Sequence, residues 1–150
     1  MNYFIYCLKN YFNFSGRATR SEFWYFMLFL FLFGIVIKLI EVIMGMGIYD
    51  SGILSLIYDL ALLIPTLAVS TRRLHDTNRS GWWNLIMLVP IIIEQAIFTK
   101  LENDWWNLIM LVLMLVLIIG IIVLIVFYCQ DSKEDNKYGV NPKKTILQQG

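Results

Sequence analysis

The sequence predicts an all-α integral membrane protein that crosses the bilayer with four helices. Three observations lead to this fold class: an apolar composition, four long apolar stretches, and basic residues that alternate between the connecting segments. Hydrophobic residues make up 59% of the 150-residue chain, and the mean hydropathy is +0.66. Soluble domains are usually less apolar, and a domain of this size exposes too much surface to hide such a composition. We therefore expect one membrane domain over residues 1–150.

Each predicted span is close to the length that a helix needs to cross a membrane. At about 1.5 Å per residue, a hydrocarbon core of about 30 Å requires about 20 apolar residues. The predicted spans are residues 23–44, 53–71, 82–98 and 105–128, followed by a tail over residues 129–150. The third span is the weakest, because it is short and contains Pro90, Glu94 and Gln95. A re-entrant third segment, which would leave three spans, is the alternative.

The basic residues indicate the orientation of the helices. Lysine and arginine are frequent before the first span, absent from residues 45–52, frequent in residues 72–81 and in the tail, and represented only by Lys100 in residues 99–104. Cytoplasmic connections of membrane proteins are enriched in lysine and arginine. The pattern therefore predicts four spans with both termini in the cytoplasm, since three spans would place a basic group on the outside.

Local signals support the predicted helix ends. Thr19 and Glu22 have the spacing of a capping box, in which the hydroxyl and the carboxylate each accept a backbone N–H. Asn78 or Ser80 is expected to cap the third helix. Residues 1–14 place apolar side chains near one helical face, which predicts a helix at the cytoplasmic interface. Tryptophans lie near the predicted span ends, as is usual in membrane proteins: Trp24, Trp82, Trp83, Trp105 and Trp106.

Charged and aromatic side chains concentrate where the first span begins and the second ends, on the predicted cytoplasmic side. We call this set the collar: Arg17, Arg20, Glu22, Trp24, Arg72, Arg73, His75, Asp76, Arg79 and Trp82. One interpretation is that its arginines anchor helix ends and pair with anionic lipid headgroups. Another is that they bind a phosphate or an acidic protein partner, because the planar guanidinium suits oxyanions. Glu22 and Asp76 are expected to pair with several of the arginines.

His75 is the only histidine. With Asp76 beside it, it offers too few ligands for a metal ion held by the protein. No nucleophile motif accompanies it, as a general base would require. We expect a structural hydrogen bond for His75, and no metal, cofactor or nucleic-acid partner for the chain.

Four charged residues lie inside the predicted spans, where charge is costly and often functional. They are Lys38, Glu41, Asp59 and Glu94, all in the outer half of the membrane. Lys38 is expected to pair with Asp59 or Glu94, and Glu41 to reach the interface. The structural interpretation is a salt bridge that joins helices, and the functional one is a path for a small ion or a proton.

Three motifs resemble those of a bacterial family, the domain of unknown function 805. They are FSGRATRSEFW, RRLHDTNRSGWW and DNKYGVNP, in this order. The resemblance implies a small multi-pass inner-membrane protein without an established activity. The matching positions are Gly16, Arg17, Arg20, Glu22, Phe23, Trp24, Arg72, Arg73, Leu74, His75, Asp76, Ser80, Gly81, Trp82, Asn136, Tyr138, Gly139 and Pro142. This sequence departs from the family pattern between the second and third motifs, where the apolar stretch is longer.

The longer stretch contains a repeat. The octapeptide WWNLIMLV occurs at residues 82–89 and again at residues 105–112. We interpret the repeat as a local duplication, because an aromatic anchor followed by apolar residues suits either membrane interface.

These features together predict binding rather than catalysis. The leading hypothesis is a non-enzymatic bacterial inner-membrane protein whose collar holds lipid headgroups, a protein partner or a second copy of the chain. The alternative is a small transporter or channel subunit that uses Lys38, Asp59 and Glu94. A third hypothesis is a membrane enzyme that acts on headgroups through His75 and Asp76.

Overall fold

The computed structural model describes residues 3–47, 52–86 and 104–147. Within these ranges the chain forms α-helices and one short 3-10 helix, and no strand, which confirms the all-α prediction for the described residues. The elements are α1 (Tyr3–Lys9), α2 (Arg20–Ile43), α3 (Ile53–Asp76), the 3-10 helix (Gly81–Asn84), α4 (Asp104–Cys129) and α5 (Pro142–Leu147).

Three of these helices are long and apolar enough to cross a membrane. They are α2, α3 and the Leu111–Cys129 part of α4, which correspond to the first, second and fourth predicted spans. Most of the third predicted span, residues 82–98 with Glu94, lies outside the described residues. Its first residues form the 3-10 helix and a short helical continuation to Ile86.

The collar residues gather at one end of the helix bundle. Arg20, at the start of α2, donates to the Cys129 carbonyl at the end of α4 at 3.4 Å. Arg73, near the end of α3, donates to the Tyr128 carbonyl at 3.1 Å. The start of α2 and the ends of α3 and α4 therefore lie together, so that α4 runs parallel to α3 and begins at the opposite end of the bundle.

The buried core also lies at the collar end. Its members are Cys7, Ala18, Phe23, Phe26, Val69, Leu74, Leu124 and Tyr128. From α1, the ring of Phe4 packs against Phe26, Phe29 and Phe33 of α2, with centroid distances of 5.4–5.7 Å. Towards the opposite end the spans expose most of their large apolar side chains, as helices in contact with lipid do.

A proline inside α3 leaves one backbone carbonyl without its usual donor. Pro65 has no N–H, so the carbonyl of Ala61 loses the hydrogen bond that closes the helical turn. The hydroxyl of Tyr11 donates to this carbonyl. In an apolar environment an unpaired carbonyl is costly, and the segment that follows α1 therefore supplies the bond that Pro65 removes.

Replacing Tyr11 with phenylalanine is expected to lower the free energy of unfolding by about 1 kcal/mol, the typical net value of one hydrogen bond. In a Pro65→Ala background the restored N–H of residue 65 bonds the Ala61 carbonyl, so Tyr11→Phe should then cost almost nothing. A double-mutant cycle in detergent measures this coupling. Tyr25→Phe is the control, since Tyr25 is 51% exposed. An equal cost of Tyr11→Phe in both backgrounds would show that the hydroxyl does not serve this carbonyl.

Candidate functional site

Four collar residues of the second motif, Arg72, Arg73, His75 and Asp76, belong to α3 and not to a loop. The helix continues to Asp76, five residues beyond the predicted span end at residue 71. It ends in a Schellman motif, in which the N–H of Asn78 bonds the His75 carbonyl at 2.9 Å and that of Arg79 bonds the Leu74 carbonyl at 2.9 Å. Asn78 has a φ of 61°. Asn78 therefore ends α3, whereas Ser80 caps the 3-10 helix with a bond from the Trp82 N–H at 3.4 Å.

Asp76 is the centre of a buried charge cluster. Its carboxylate accepts hydrogen bonds from Arg17 Nε at 2.9 Å, from Ser132 Oγ at 2.6 Å and from Arg73. The side chains of Asp76 and Arg73 are 0% exposed and that of Arg17 is 2% exposed. One carboxylate thus neutralises two buried guanidinium groups from different parts of the chain.

Arg17 joins the tail to the collar. Its guanidinium donates to the carbonyls of Lys133 at 2.5 Å, of Glu134 at 3.0 Å and of Gly139 at 3.0 Å. The tail turns back between Asn136 and Gly139, which exchange backbone hydrogen bonds at 3.1 and 2.9 Å. Gly139 has a φ of 133°, a conformation that suits glycine. The turn brings the Gly139 carbonyl back beside those of Lys133 and Glu134, and all three accept hydrogen bonds from Arg17.

A second buried ion pair joins α2 to α3 beside α1. Arg72 donates to Glu22 Oε1 at 2.6 Å, and the Cys7 thiol lies 3.6 Å from the same oxygen. Burial, reinforced by the Glu22 carboxylate, raises the pKa of Cys7 to about 12, so the thiol stays protonated and can donate. Arg72 Nε and Nη2 are buried without a hydrogen-bond partner among the described residues, and the Tyr6 ring lies 6.0 Å from the guanidinium.

Thr19 caps the start of α2, as the sequence predicts. Its Oγ1 accepts the Glu22 N–H at 3.1 Å, while the Glu22 carboxylate pairs with Arg72. We call Arg17, Glu22, Arg72, Arg73 and Asp76 the lock, because each of their charges is paired with an opposite charge inside the fold.

The remaining collar residues lie nearer the surface, and we call Arg20, Trp24 and Trp82 the rim. The Arg20 side chain is 44% exposed and lies 3.3 Å from Asp131. Trp24 is 42% and Trp82 76% exposed. Arg79 is partly covered: it donates to Gln130 Oε1 at 2.6 Å and stacks 3.8 Å from the centre of the Phe127 ring.

His75 contacts both the first motif and the tail. Its Nδ1 lies 3.2 Å from the Gly16 carbonyl oxygen. Its ring stacks on Tyr138 with a centroid distance of 3.8 Å and an angle of 3°, and Asn136 donates to its carbonyl at 3.0 Å. The third motif therefore packs directly on the second.

An open furrow with a volume of about 460 Å³ runs beside this stack. Its walls include Leu67, Thr71 and His75 of α3, Ser80 and Trp82, and Tyr138 of the tail. Gly81 lies against α3 so closely that a Cβ atom there would be 2.5 Å from Thr71 Cγ2. The absent side chain lets the 3-10 helix approach α3 and form one wall.

Sequence reasoning did not identify several residues that complete the site. Asn84 donates to Thr71 Oγ1 at 3.1 Å and accepts the Tyr128 hydroxyl at 2.7 Å, which joins the 3-10 helix to both α3 and α4. Cys7, Ser132 and Asn136 were also not singled out for these contacts. Motif spacing gave a signal only for Asn136, because DNKYGVNP combines turn-forming residues with a proline.

Two charged residues of α2, Lys38 and Glu41, lie together at the end of the helix opposite to the collar. Glu41 is 1% exposed and accepts the Ser55 N–H at 2.8 Å and the Ser55 hydroxyl. Lys38 Nζ lies 3.5 Å from the same carboxylate. Because Gly52 offers no side-chain cap to α3, the Glu41 carboxylate caps that helix. Asp59 is exposed, and Glu94 lies outside the described residues.

The helices and the lock define a multi-pass integral membrane protein. The family model described as "Protein of unknown function (DUF805)" matches residues 11–140, which contain every residue of the lock and the rim. The chain belongs to this family, which confirms the resemblance in its three motifs.

Two curated relatives match nearly the whole chain, and a third matches about half of it. Inner membrane protein YhaI of Escherichia coli (strain K12) is 37% identical over 144 residues, covering 95% of this chain and 97% of the relative. Inner membrane protein YhaH of the same strain is 34% identical over 145 residues, covering 95% and 98%. Uncharacterized protein YiiR of that strain is 35% identical over 78 residues, covering 52% and 51%. No solved structure matches the chain.

Proposed function

We propose that the chain is a non-enzymatic protein of the bacterial inner membrane whose collar holds anionic lipid headgroups at the cytoplasmic face. The lock organises this face, and the rim contacts the lipid. Relatives named as inner membrane proteins support the location.

The direction of the described helices supports four spans. Both α3 and α4 end at the collar. The start of α4 lies at the opposite end of the bundle, because its 26 residues extend about 39 Å. Ile86 already lies against Gly120, 16 residues after the start of α4, so the chain between Ile86 and Asp104 has to return about 24 Å along α4. We propose that it does so within residues 82–98, with both termini cytoplasmic because the collar end carries the basic segments.

The exposure of the arginines is the observation that carries the lipid assignment. The side chains of Arg17, Arg72 and Arg73 are at most 3% exposed and paired inside the lock. Arg20 is 44% exposed and heads a shallow groove that continues along α2 through Trp24, Tyr25 and Leu28. A cation followed by aromatic and then apolar side chains matches the order of groups in a membrane lipid, from phosphate to acyl chain.

The test is retention of phosphatidylglycerol by the purified protein, counted by native mass spectrometry. The double variant Arg20→Ala, Trp24→Leu should retain about fivefold less of this lipid, since one basic residue near an anionic surface contributes about 1 kcal/mol. Trp105→Leu is the control, because Trp105 is 78% exposed at the opposite end of the bundle. Unchanged retention by the double variant would refute the lipid assignment.

The described residues do not favour the other two hypotheses. A transport path would need charged groups that can bind a passing ion, but the Glu41 carboxylate is engaged by Lys38 and by the Ser55 N–H at the start of α3. For an enzyme, the Asp76 carboxylate is held by two arginines and a serine, which leaves it unable to assist His75.

A further inference from the structure

The furrow runs along α3, and therefore in the direction across the membrane in which lipid acyl chains also extend. Leu67, Thr71 and His75 are four residues apart, so their side chains follow one another on one face of the helix for about 12 Å. Because α3 is long and apolar enough to cross the membrane, this line runs from the apolar interior towards the collar.

The lining changes from apolar to polar along the same line. Leu67 and Leu85 lie at the apolar end, and His75, Ser80 and Tyr138 lie at the collar end. No lysine, arginine, aspartate or glutamate is among the lining residues. The volume of about 460 Å³ falls within the range of small-molecule sites, about 300–1,000 Å³.

His75 determines which headgroup the collar end can receive. Its Nδ1 faces the Gly16 carbonyl at 3.2 Å, and a carbonyl only accepts, so Nδ1 carries the proton. In the neutral ring Nε2 is then an acceptor, and it has no partner within the described part of the chain. An acceptor at this position suits a ligand that carries an N–H or O–H donor.

Two neighbouring side chains suit the two opposite charges of a zwitterionic lipid headgroup. Trp82, 76% exposed, offers an aromatic face, which attracts a cationic ammonium group. Lys137 Nζ lies 5.0 Å from the centre of the Tyr138 ring, at the edge of the furrow, where its charge is complementary to a phosphate.

We propose that the furrow binds the headgroup and upper chain of one phosphatidylethanolamine molecule. The ammonium group donates to His75 Nε2 beside Trp82, the phosphate faces Lys137, and the start of an acyl chain follows Thr71 towards Leu67. This site shares Trp82 with the rim but uses neither Arg20 nor Trp24, which are the residues changed to test the binding of anionic headgroups, so the two proposals can fail independently.

The test compares three lipids with the same acyl chains on the full-length protein in mild detergent. Phosphatidylethanolamine, phosphatidylcholine and phosphatidylglycerol are titrated singly, and bound lipids are counted by native mass spectrometry. One phosphatidylethanolamine should be retained at a concentration about tenfold lower than phosphatidylcholine, whose ammonium has no N–H to donate. Equal retention of these two lipids overturns the proposal, as does stronger retention of phosphatidylglycerol at the same site.

His75→Asn is the most informative variant. Asparagine keeps an amide N–H near the position of Nδ1 for Gly16, but it lacks the acceptor at Nε2. It should abolish the preference for phosphatidylethanolamine, and survival of that preference in a folded His75→Asn protein overturns the proposal. Lys137→Ala should weaken retention of all three lipids, whereas Lys133→Ala should not. If His75→Asn fails to fold, Trp82→Leu replaces it, with Trp105→Leu as its control. Trp82→Leu should weaken retention of phosphatidylethanolamine and phosphatidylcholine alike, because the aromatic face attracts either ammonium group, and unchanged retention of both lipids is equally contradictory.

Discussion

Asp76→Asn is expected to destabilise the protein by about 3–5 kcal/mol, the usual cost of breaking a buried ion pair from one side. The variant keeps the size of the side chain and removes its charge. Arg17 and Arg73, at most 2% exposed, would then lack their common counter-ion. The free energy of unfolding in mixed detergent micelles, or the loss of folded protein from the membrane fraction, measures the effect.

Asp131→Asn is the matched control for this change. Asp131 accepts a hydrogen bond from Lys143 and lies 3.3 Å from Arg20, but its side chain is 60% exposed. Exposed ion pairs contribute about 0–1 kcal/mol, so Asp131→Asn should have little effect. Similar losses in the two variants would mean that the lock is no more important to stability than a surface ion pair.

Gly52→Ala is expected to destabilise the protein by about 2–4 kcal/mol. A Cβ atom at Gly52 would overlap the Glu41 carboxylate, so the carboxylate would have to leave the N–H and hydroxyl of Ser55 that it caps. The expected cost combines overpacking, about 1–3 kcal/mol, with the loss of a helix cap, about 0.5–2 kcal/mol.

Gly34→Ala provides the control within α2. A Cβ atom there would lie 3.7 Å from Tyr58 Cε1, an ordinary contact, and alanine favours the helix by about 1 kcal/mol. Gly34→Ala should be neutral or stabilising. Glu41→Ala should remove most of the cost of Gly52→Ala when the two are combined. Additive costs would contradict the role of Glu41 as the cap of α3.

The grouping of the collar could be predicted from the sequence, whereas its pairing could not. Antiparallel neighbouring spans bring the start of α2 and the end of α3 to one side, and this requires only span lengths. The choice of Arg72 for Glu22 and of Asp76 for Arg17 depends on the rotation of α3, because adjacent residues project about 100° apart on a helix. Apolarity gives no information on that rotation at the charged end of the helix.

The repeated octapeptide shows the same limit for local structure. Its first three residues form the 3-10 helix at Trp82, but they continue an α-helix at Trp105. The difference arises from neighbours: Asn84 is buried against Thr71 and Tyr128, and Gly81 brings the chain close to α3. Identical residues therefore adopt the structure that their contacts favour, and a pattern within eight residues does not contain those contacts.

The measurement that most directly tests the account is the topology of two connecting segments. The collar is one cytoplasmic face only if α2, α3 and α4 are joined by a fourth crossing. Reporter fusions after Gly47 and after Glu102 should both report the outside of the inner membrane, with a fusion at the C-terminus reporting the cytoplasm. A cytoplasmic signal at Glu102 would contradict the four-span arrangement and the assignment of the collar to one face.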